Sequence, residues 1–351
     1  MISRNQRINA FVKLGKFLTE PQHSHEIENW ITSANRKNNW FTPENSALSL
    51  AAIATEFLDE QKLTAWAAGY TEPVHVKKVG VIMAGNIPAV GFHDALSVLI
   101  SGHILMAKPS SDDQVLMQLL LEKLIDLEPG FKNNIQFADR LNDADAYVAT
   151  GSNNTARYFH YYFSKKPHII RKNRTSVSVL TGHESTENLS ALGTDIFQYF
   201  GLGCRNVSKL FVPSGYDFTK FYESIEKFSK TCLHHHKYFN NYEYNKSILL
   251  INRTFHYDNG FLMLTESPAF VSPISVVHFE YYNIITDLKP LLEESAEKIQ
   301  CITGSTDLVT IVFSGSRSNN PPRKAKKPRT ERCGFLIKKA MLNSFPCVDN
   351  P

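Results

Sequence analysis

The sequence predicts an α/β fold built on a parallel sheet that carries helices on both faces. From residue 74 to residue 163, short apolar runs with strand character alternate with longer stretches of helical spacing. A second stretch of the same kind begins at residue 177. The chain has 351 residues, of which 42% are hydrophobic and 21% charged. This is the composition of a soluble protein and a length sufficient for two domains.

The N-terminal part is expected to be helical. Residues 1–40 are polar with scattered aromatic side chains, and we expect helical arms that pack onto the body. A helix start follows at Thr42-Pro43-Glu44, which offers a hydroxyl cap, a proline at the first helical position and an acid in the first turn. Residues 47–68 carry apolar side chains near helical spacing, and core packing explains that pattern without a functional role.

Three polar residues follow the strands of the predicted first sheet. The strands are predicted at Val79–Met83, Ile104–Ala107, Asn134–Ala138 and Tyr147–Ala149. Helices are predicted at Asp94–Ile100, at Gln114–Leu127 and through Phe163. Asn86, Lys108 and Ser152 each come just after a predicted strand end. Because such sheets bind ligands outside the carboxyl ends of their strands, these three residues are expected to converge on one binding edge.

The chain has no GxGxxG dinucleotide fingerprint. Gly151 and Ser152 at the start of a helix could still receive a phosphate through free backbone amides. The strands of the second α/β stretch are predicted at Val177–Leu180, Leu210–Val212, Ile248–Ile251, Ile274–Phe279 and Leu308–Phe313.

One cysteine lies on a glycine-rich turn just before a predicted strand. Gly201 and Gly203 let the backbone turn sharply around Cys204, which presents the thiol as a nucleophile would be presented. A free thiol titrates near pH ~8.5, so it needs a nearby cation or a helix N-terminus to be a thiolate at neutral pH. Arg205 is adjacent in sequence. The alternative is a small buried cysteine, a common state for free thiols.

The cysteines and the apolar runs indicate a cytoplasmic protein. Five cysteines are widely spaced without a CxxC pair, so reduced thiols are expected. No apolar leader heads the chain, and no apolar run approaches the ~20 residues of a membrane span. The run from Cys232 to His236 contains three adjacent histidines, whose side chains point in different directions. We therefore expect a surface run and no metal site.

The positive charge is concentrated near the C-terminus. The net charge is +4, and residues 317–332 hold seven basic residues and one acid, which leaves the rest of the chain mildly acidic. A nucleic-acid surface spread over the fold is therefore not expected. Residues 314–351 are predicted to be a basic, disordered tail, with nuclear localisation or polyanion binding as the alternative role.

Four segments resemble those of the aldehyde dehydrogenase superfamily. Ala84–Pro88 is similar to the segment that supplies the oxyanion-binding asparagine, and Ala107–Ser111 to the lysine-proline turn that contacts the adenosine ribose. Thr150–Ser152 resembles the glycine-serine helix start beside the cofactor, and Gly203-Cys204 resembles the nucleophile segment. Within the superfamily the chain most resembles the long-chain acyl-CoA reductases, which include the reductase that makes the aldehyde for bacterial luciferase.

The resemblance implies an enzyme that reduces a fatty acyl-CoA to the aldehyde with NADPH and releases CoA. Cys204 would form an acyl-thioester, and Asn86 with the Cys204 backbone amide would hold the oxyanion. The fold implied is aldehyde-dehydrogenase-like, with a Rossmann-type cofactor domain and an α/β catalytic domain. These correspond to residues 1–180, which include the N-terminal arms, and to residues 181–313. A homo-oligomer is compatible with this organisation.

The cofactor residues implied by the resemblance lie on two turns. Lys108 and Ser110 would face the adenosine ribose, with Gly151 and Ser152 beside the pyrophosphate. Small hydroxyls at Ser110 and Ser111 leave room for a 2′-phosphate and favour NADPH, because NAD-selective relatives tend to carry an acid there.

Two departures from the superfamily pattern keep alternatives open. Oxidising members carry a glutamate that activates water, but the corresponding stretch near Ile170–Arg174 has no acid. This argues against hydrolytic oxidation and suits an enzyme whose acyl group must avoid water. The tail after Phe313 also differs from the family's terminal segment. The alternatives are an aldehyde dehydrogenase working oxidatively and a non-catalytic protein that binds polyanions through the tail.

Overall fold

A computed structural model describes residues 2–304, without the side chain of Asn153. These residues form two compact units, 2–173 and 174–304. The sequence prediction ended the first domain at residue 180. The predicted strand Leu308–Phe313 and the basic tail 314–351 lie outside the described residues.

Four helices open the first unit: α1 (Arg4–Thr19), α2 (Ser24–Lys37), α3 (Pro43–Ala52) and α4 (Glu60–Ala67). The predicted start of α3 is confirmed, since the Thr42 hydroxyl accepts a hydrogen bond from the Asn45 amide at 3.3 Å. The predicted packing of the N-terminal arm is confirmed as well. Phe11 of α1 is fully buried and lies edge-on to Phe131, with ring centroids 5.8 Å apart.

The first unit contains a five-stranded parallel sheet. Its strands are β1 (Lys78–Ile82), β2 (Ile104–Lys108), β3 (Ile135–Phe137), β4 (Ala146–Thr150) and β5 (His168–Arg171). Three helices alternate with them: α5 (Phe92–Ile100), α6 (Gln114–Leu127) and α7 (Asn153–Phe163). The strand order is β3-β2-β1-β4-β5, and every pairing is parallel. The predicted parallel α/β sheet is confirmed, although β5 was not predicted.

The strand register brings the predicted strand ends to one edge. Ile82 at the end of β1 pairs with Lys108 at the end of β2 and with Ala149 near the end of β4. The turns that follow these three strands carry Asn86, Lys108 and Ser152. The expected convergence of these strand ends is therefore confirmed.

The second unit contains a six-stranded sheet. Its strands are β6 (Thr175–Val179), β7 (Val207–Pro213), β8 (Tyr257–Asp258), β9 (Met263–Glu266), β10 (Val276–Tyr282) and β11 (Ile299–Thr303). The order is β11-β6-β7-β10-β9-β8, parallel except for the β8–β9 pair. The helices are α8 (Thr186–Phe197), α9 (Thr219–Ile225), α10 (Ser229–His234), α11 (His236–Ile251) and α12 (Leu288–Glu294).

The predicted strand at Ile248–Ile251 is wrong, because these residues form the last turn of α11. The buried residues of this helix, Tyr238, Tyr242 and Asn245, recur at helical spacing, whereas Ile251 is 80% exposed. A short apolar run by itself does not distinguish a buried strand from a helix end.

Candidate functional site

The loop after β1, which carries Asn86, packs tightly against the loop after β2. Gly85 is buried, and a Cβ atom added there would lie 2.5 Å from the Cβ of Ser110 and 2.6 Å from its Oγ. Only glycine permits this approach. Ser110, predicted to face the cofactor, therefore also positions the backbone next to Asn86, whose own side chain is exposed.

The same loop contains a strained backbone position. Ala89 has a positive φ of 54°, a region that side chains with a Cβ rarely occupy. The loop is held by Ser49 of α3, whose hydroxyl donates a hydrogen bond to the Pro88 carbonyl at 2.6 Å. A strained conformation persists where surrounding contacts fix it, and such positions cluster at functional sites.

A buried acid lies beneath this loop. Asp113, the residue before α6, is 1% exposed, and its carboxyl oxygens have no hydrogen bond of good geometry within the described residues. Burial raises the pKa of Asp113 well above its ordinary range, and the nearby Ala89 and Val90 amides offset this only in part. Burial therefore favours the protonated form of this carboxyl.

Lys108 ends β2 with an exposed side chain. Its Nζ donates a hydrogen bond to the Asp139 carbonyl at 2.8 Å. This bond uses one of the three ammonium hydrogens and holds the side chain at the sheet edge. Ser111, two residues beyond the turn proline, is also exposed.

The turn between β4 and α7 is tight and places a helix N-terminus at the same edge. A Cβ atom on Gly151 would lie 3.0 Å from the Phe159 ring and 3.1 Å from the Thr155 Cβ, so a larger residue would push the turn away from α7. The Ser152 hydroxyl caps the helix by accepting from the Thr155 amide at 3.2 Å. With the exposed Lys108 ammonium, this helix N-terminus provides groups that suit the phosphates of a nicotinamide dinucleotide.

An ion pair fixes the end of β5 at this edge. Arg171 Nη1 lies 2.6 Å from Oδ1 of Asp94, a buried residue in the first turn of α5, and the Arg171 carbonyl accepts from the Gly151 amide at 3.2 Å. Burial acts to raise the pKa of Asp94, but the His93 hydrogen bond and the Arg171 charge outweigh it and hold the pKa below its ordinary value. The stretch near Ile170–Arg174 lacks the glutamate that oxidising relatives carry. It contributes instead the Arg171 cation, which is paired with the Asp94 carboxylate.

In the second unit, Asn206 holds the loop that carries Cys204. Its Oδ1 accepts from the Gly203 amide at 2.8 Å, and its Nδ2 donates to the Asp195 and Gln198 carbonyls, both at 2.8 Å. Asn206 is buried, with 7% of its surface exposed. It therefore ties the turn around Cys204 to the end of α8.

Three consecutive left-handed residues lead into this loop. Tyr199, Phe200 and Gly201 have φ values of 52°, 57° and 78°. The glycine adopts this conformation freely, but the two aromatic residues do so at a cost of about 1–3 kcal/mol each. Phe200 is buried, with its ring centroid 4.1 Å from that of His235. That packing and the Asn206 hydrogen bonds hold the strained segment in place.

Cys204 itself is exposed, as a nucleophile requires. Protein atoms around its sulfur exclude enough water to raise the pKa of the thiol above its ordinary value. The positive charges of Arg205 and Arg174 act in the opposite direction, and the Cys301 thiol adds to the increase. Cys204 is therefore mainly protonated at neutral pH, and the two arginines limit the penalty for forming the thiolate.

The structure thus places the predicted residues in two groups. The carboxyl edge of the first sheet brings together the turns that carry Asn86, Lys108, Ser110, Ser111, Gly151 and Ser152, while Cys204 lies in the second unit. Sequence reasoning missed the roles of Asn206, Asp94 and Asp113. Asn206 had a usable signal, because an asparagine two residues after the cysteine is typical of a turn held by its own side chain.

Neither a metal cluster nor a membrane-spanning helix is found in the part of the chain that the structure describes. No group of three or more histidine, cysteine or acidic side chains there could hold an ion, and no helix there is long and apolar enough to cross a membrane. In the histidine run, Nδ1 of His235 accepts from the Tyr238 amide at 3.2 Å and so caps α11.

Comparisons with known proteins bear on both units. A family model described as acyl-CoA reductase (LuxC) matches residues 45–230. No curated protein matches the sequence. A NAD-dependent benzaldehyde dehydrogenase from Corynebacterium glutamicum is 11% identical with a TM-score of 0.64, covering 89% of this chain and 84% of that chain. An NADP-dependent enzyme from E. coli is 11% identical with a TM-score of 0.65, and the match covers 86% of this chain and 78% of that chain.

A mutant propionaldehyde dehydrogenase from the fucose utilisation microcompartment of Clostridium phytofermentans is similar as well. It is 9% identical with a TM-score of 0.61, covering 89% of this chain and 81% of that chain. At these identities the likeness concerns the fold, which is aldehyde-dehydrogenase-like. The predicted combination of a Rossmann-type domain with a catalytic domain is consistent with it.

Proposed function

Because the chain belongs to the acyl-CoA reductase (LuxC) family, we propose that it reduces a long-chain fatty acyl-CoA to the aldehyde with NADPH. The exposed Cys204 thiol, held on the Asn206 loop near two arginines, is the observation that supports this chemistry most directly. The family match includes this loop and the predicted cofactor edge.

In the first half-reaction, the Cys204 thiolate attacks the thioester carbonyl carbon of the acyl-CoA. The oxyanion formed accepts hydrogen bonds from the Asn86 side-chain amide and the Cys204 backbone amide. One such donor contributes about 2.7–4 kcal/mol in comparable sites. The carbonyl then re-forms, the bond to the CoA sulfur breaks, and CoA leaves as its thiolate. The acyl group remains on Cys204 as a thioester.

In the second half-reaction, the acyl group leaves as the aldehyde. NADPH, when bound, supplies the hydride that reduces the thioester carbon. The oxyanion of the resulting thiohemiacetal is held by the same two donors as before. Its collapse breaks the carbon–sulfur bond, releases the aldehyde and returns Cys204 as a thiolate.

We assign cofactor binding to the carboxyl edge of the first sheet. Lys108 and Ser110 contact the adenosine ribose, Gly151 and Ser152 lie by the pyrophosphate, and the exposed hydroxyl of Ser111 leaves room for a 2′-phosphate. The close packing of Gly85 on Ser110 couples the cofactor turn to the loop of Asn86. The tight turn at Gly151 and the exposed Lys108 support this assignment.

Hydrolytic aldehyde oxidation is the competing activity. It needs a carboxylate that activates water, whereas the stretch that carries this group in oxidising relatives has Arg171 paired with Asp94. This pairing favours reduction of an acyl group that is protected from hydrolysis.

The experiment that tests the activity is a panel of acyl-CoAs with the purified protein. We expect NADPH oxidation, CoA release and aldehyde formation in equal amounts, with the long-chain substrates reacting fastest. Acid formation from an aldehyde with NAD or NADP, and no CoA release from any acyl-CoA, would contradict the proposal.

Lys108→Ala tests the cofactor assignment. Loss of the ammonium should raise the KM for NADPH by about tenfold, the effect of one lost charge-assisted contact, with a smaller effect on acyl transfer. Lys132→Ala, which removes another exposed lysine of the first unit, should leave the KM unchanged and serves as the control. An unchanged KM for both NADPH and NADH in Lys108→Ala would show that this lysine does not contact the cofactor.

A further inference from the structure

Three basic residues lie at one edge of the sheet in the second unit. Lys298 immediately precedes β11, Arg174 immediately precedes β6, and Arg205 precedes β7 by two residues. These three strands are neighbours in the order β11-β6-β7, and both pairings are parallel. The segments that enter them therefore meet at the same edge of the sheet. We call Lys298, Arg174 and Arg205 the basic row.

Backbone hydrogen bonds hold the basic row together. The Thr175 amide donates to the Lys298 carbonyl at 3.1 Å, and the Ser176 amide donates to the Asn206 carbonyl, also at 3.1 Å. Each bond joins the start of β6 to a member of the row or to the residue beside one. Because neighbouring strands lie about 4.8 Å apart, adjacent members of the row are about one strand spacing apart. Lysine and arginine side chains are longer than this spacing, so adjacent members can contact the same anion.

The basic row has no partner of opposite charge in the part of the chain that the structure describes. Arg174 and Lys298 are exposed and Arg205 is half-buried, and none of these side chains takes part in an ion pair or a hydrogen bond there. Arg171, by contrast, is paired with Asp94 at 2.6 Å. Since the body of the chain is mildly acidic, three adjacent unpaired cations form a distinct surface that attracts anions.

The basic row adjoins the nucleophile loop. Arg205 follows Cys204 in the chain, and the Ser176 hydroxyl donates a hydrogen bond to the Cys204 carbonyl at 3.3 Å. The loop of Cys204 therefore contacts the start of β6, directly after Arg174. The positive charges of both arginines lower the pKa of the thiol, as expected from this arrangement. An anionic substrate that reacts at Cys204 would have the basic row beside it.

We propose that the basic row binds the phosphates of the CoA thioester that reacts with Cys204. This inference rests on the proposed function, which makes an acyl-CoA the substrate. The acyl chain is apolar, whereas CoA carries several phosphate charges, so the row selects the CoA end. The pantetheine arm separates these phosphates from the thioester, and we therefore assign them to Arg174 and Lys298, the two members beyond Arg205. Charge-assisted hydrogen bonds to phosphate are the interaction that these side chains make best.

The first test measures binding of CoA to the full chain by calorimetry, without turnover. Saturating NADP occupies the proposed cofactor edge, so that CoA is measured at the second unit alone. Lys298→Glu should raise the Kd for CoA at least about tenfold, because an attractive charge becomes repulsive. Pantetheine, which has no phosphate, should bind equally to both proteins. Lys230→Glu makes the same charge change at an exposed position of α10 and should leave the Kd for CoA unchanged.

The second test compares two substrates that differ only in their phosphates. Lys298→Glu should raise the KM for hexadecanoyl-CoA about tenfold with little change in kcat, and it should leave the KM for hexadecanoyl-pantetheine unchanged. A wild-type Kd for CoA in both Lys298→Glu and Arg174→Glu would overturn the proposal. So would equal losses of affinity for CoA and for pantetheine.

The two tests also separate this inference from the proposed function. If CoA binds and Lys298→Glu weakens the binding, but no acyl-CoA is reduced, the reductase activity is refuted and the phosphate site stands. If acyl-CoA is reduced and Lys298→Glu binds CoA as tightly as the wild type does, the activity stands and the assignment of Lys298 is overturned.

Discussion

At the scale of single residues, the reactivity of Cys204 depends on two opposing influences. Exclusion of water raises the pKa of the thiol, and the charges of Arg205 and Arg174 lower it. The thiolate is the reactive form, so a raised pKa means a small reactive fraction at neutral pH. The proposed acyl transfer therefore depends on these two charges more than on a pre-formed thiolate.

We predict that alkylation of Cys204 by iodoacetamide accelerates as the pH rises through the alkaline range. The thiol is protonated below its pKa and ionised above it, and this pKa lies above the ordinary value near pH ~8.5. Arg205→Ala removes the stronger of the two favourable charges, so it should shift the profile to higher pH and slow the reaction at pH 8. Quantitative mass spectrometry of the Cys204 peptide measures both effects.

Lys230→Ala, which removes an exposed charge from α10, should leave the profile unchanged. A profile that shifts equally in both variants would contradict the role of Arg205.

Asn206→Ala should destabilise the second unit and disorder the cysteine loop. The substitution removes the hydrogen bonds that Asn206 makes with the Gly203 amide and with the Asp195 and Gln198 carbonyls, at a cost of about 1–3 kcal/mol. Urea unfolding measures the stability, and the alkylation rate of Cys204 reports on the loop. Asn188→Ala, which truncates an exposed asparagine of α8, should change neither quantity. Wild-type stability in Asn206→Ala would show that these hydrogen bonds contribute nothing net.

At the scale of elements, the loop after β1 combines a strained residue with a buried acid. Ala89 is held at positive φ, and Asp113 lies below it with a pKa raised well above the ordinary value. A carboxyl group whose pKa is raised on folding favours the folded state most at pH values below the pKa that it has in the unfolded chain. Its contribution to the free energy of unfolding is lost as the pH rises towards the pKa that it has in the folded state. Asp113 therefore opposes folding at neutral pH.

Asp113→Asn should stabilise the protein at pH 8, because asparagine has nearly the shape of the protonated acid and cannot ionise. The gain in Tm should shrink towards pH ~4, where the unfolded aspartate is also largely protonated. Thermal unfolding across this pH range measures the difference. Asp112→Asn, at the exposed neighbouring position, is the control and should show no such pH dependence. A lower Tm for Asp113→Asn at pH 8 would mean that the charged form is needed.

The elements also show how far sequence patterns can predict this fold. Strands β1, β2 and β4 were predictable because each is a continuous apolar run that ends in polar turn residues. Strand β5 was missed because its residues are half-buried or exposed at the edge of the sheet. The Ile248–Ile251 run was assigned to a strand because four apolar residues fit either element, and only packing distinguishes them. Contacts that tie distant segments together, such as Arg171 with Asp94, leave no local pattern in the sequence.

At the scale of the whole molecule, two sheets carry the two groups of candidate residues. The first presents the turns assigned to the cofactor, and the second carries the nucleophile loop. The family match at residues 45–230 spans both groups. It ends before β8, so the last four strands of the second sheet lie beyond the matched segment.

The central claim, that Cys204 is the acyl acceptor, is tested most directly by incubating the protein with a long-chain acyl-CoA in the absence of NADPH. An acyl adduct should accumulate on the Cys204 peptide as CoA is released, and Cys204→Ala should show neither the adduct nor the release. Asn86→Ala should form the same adduct roughly 10²–10³-fold more slowly, because the thiol remains while one oxyanion donor is lost. An adduct found only on another cysteine, or undiminished CoA release in Cys204→Ala, would contradict the mechanism.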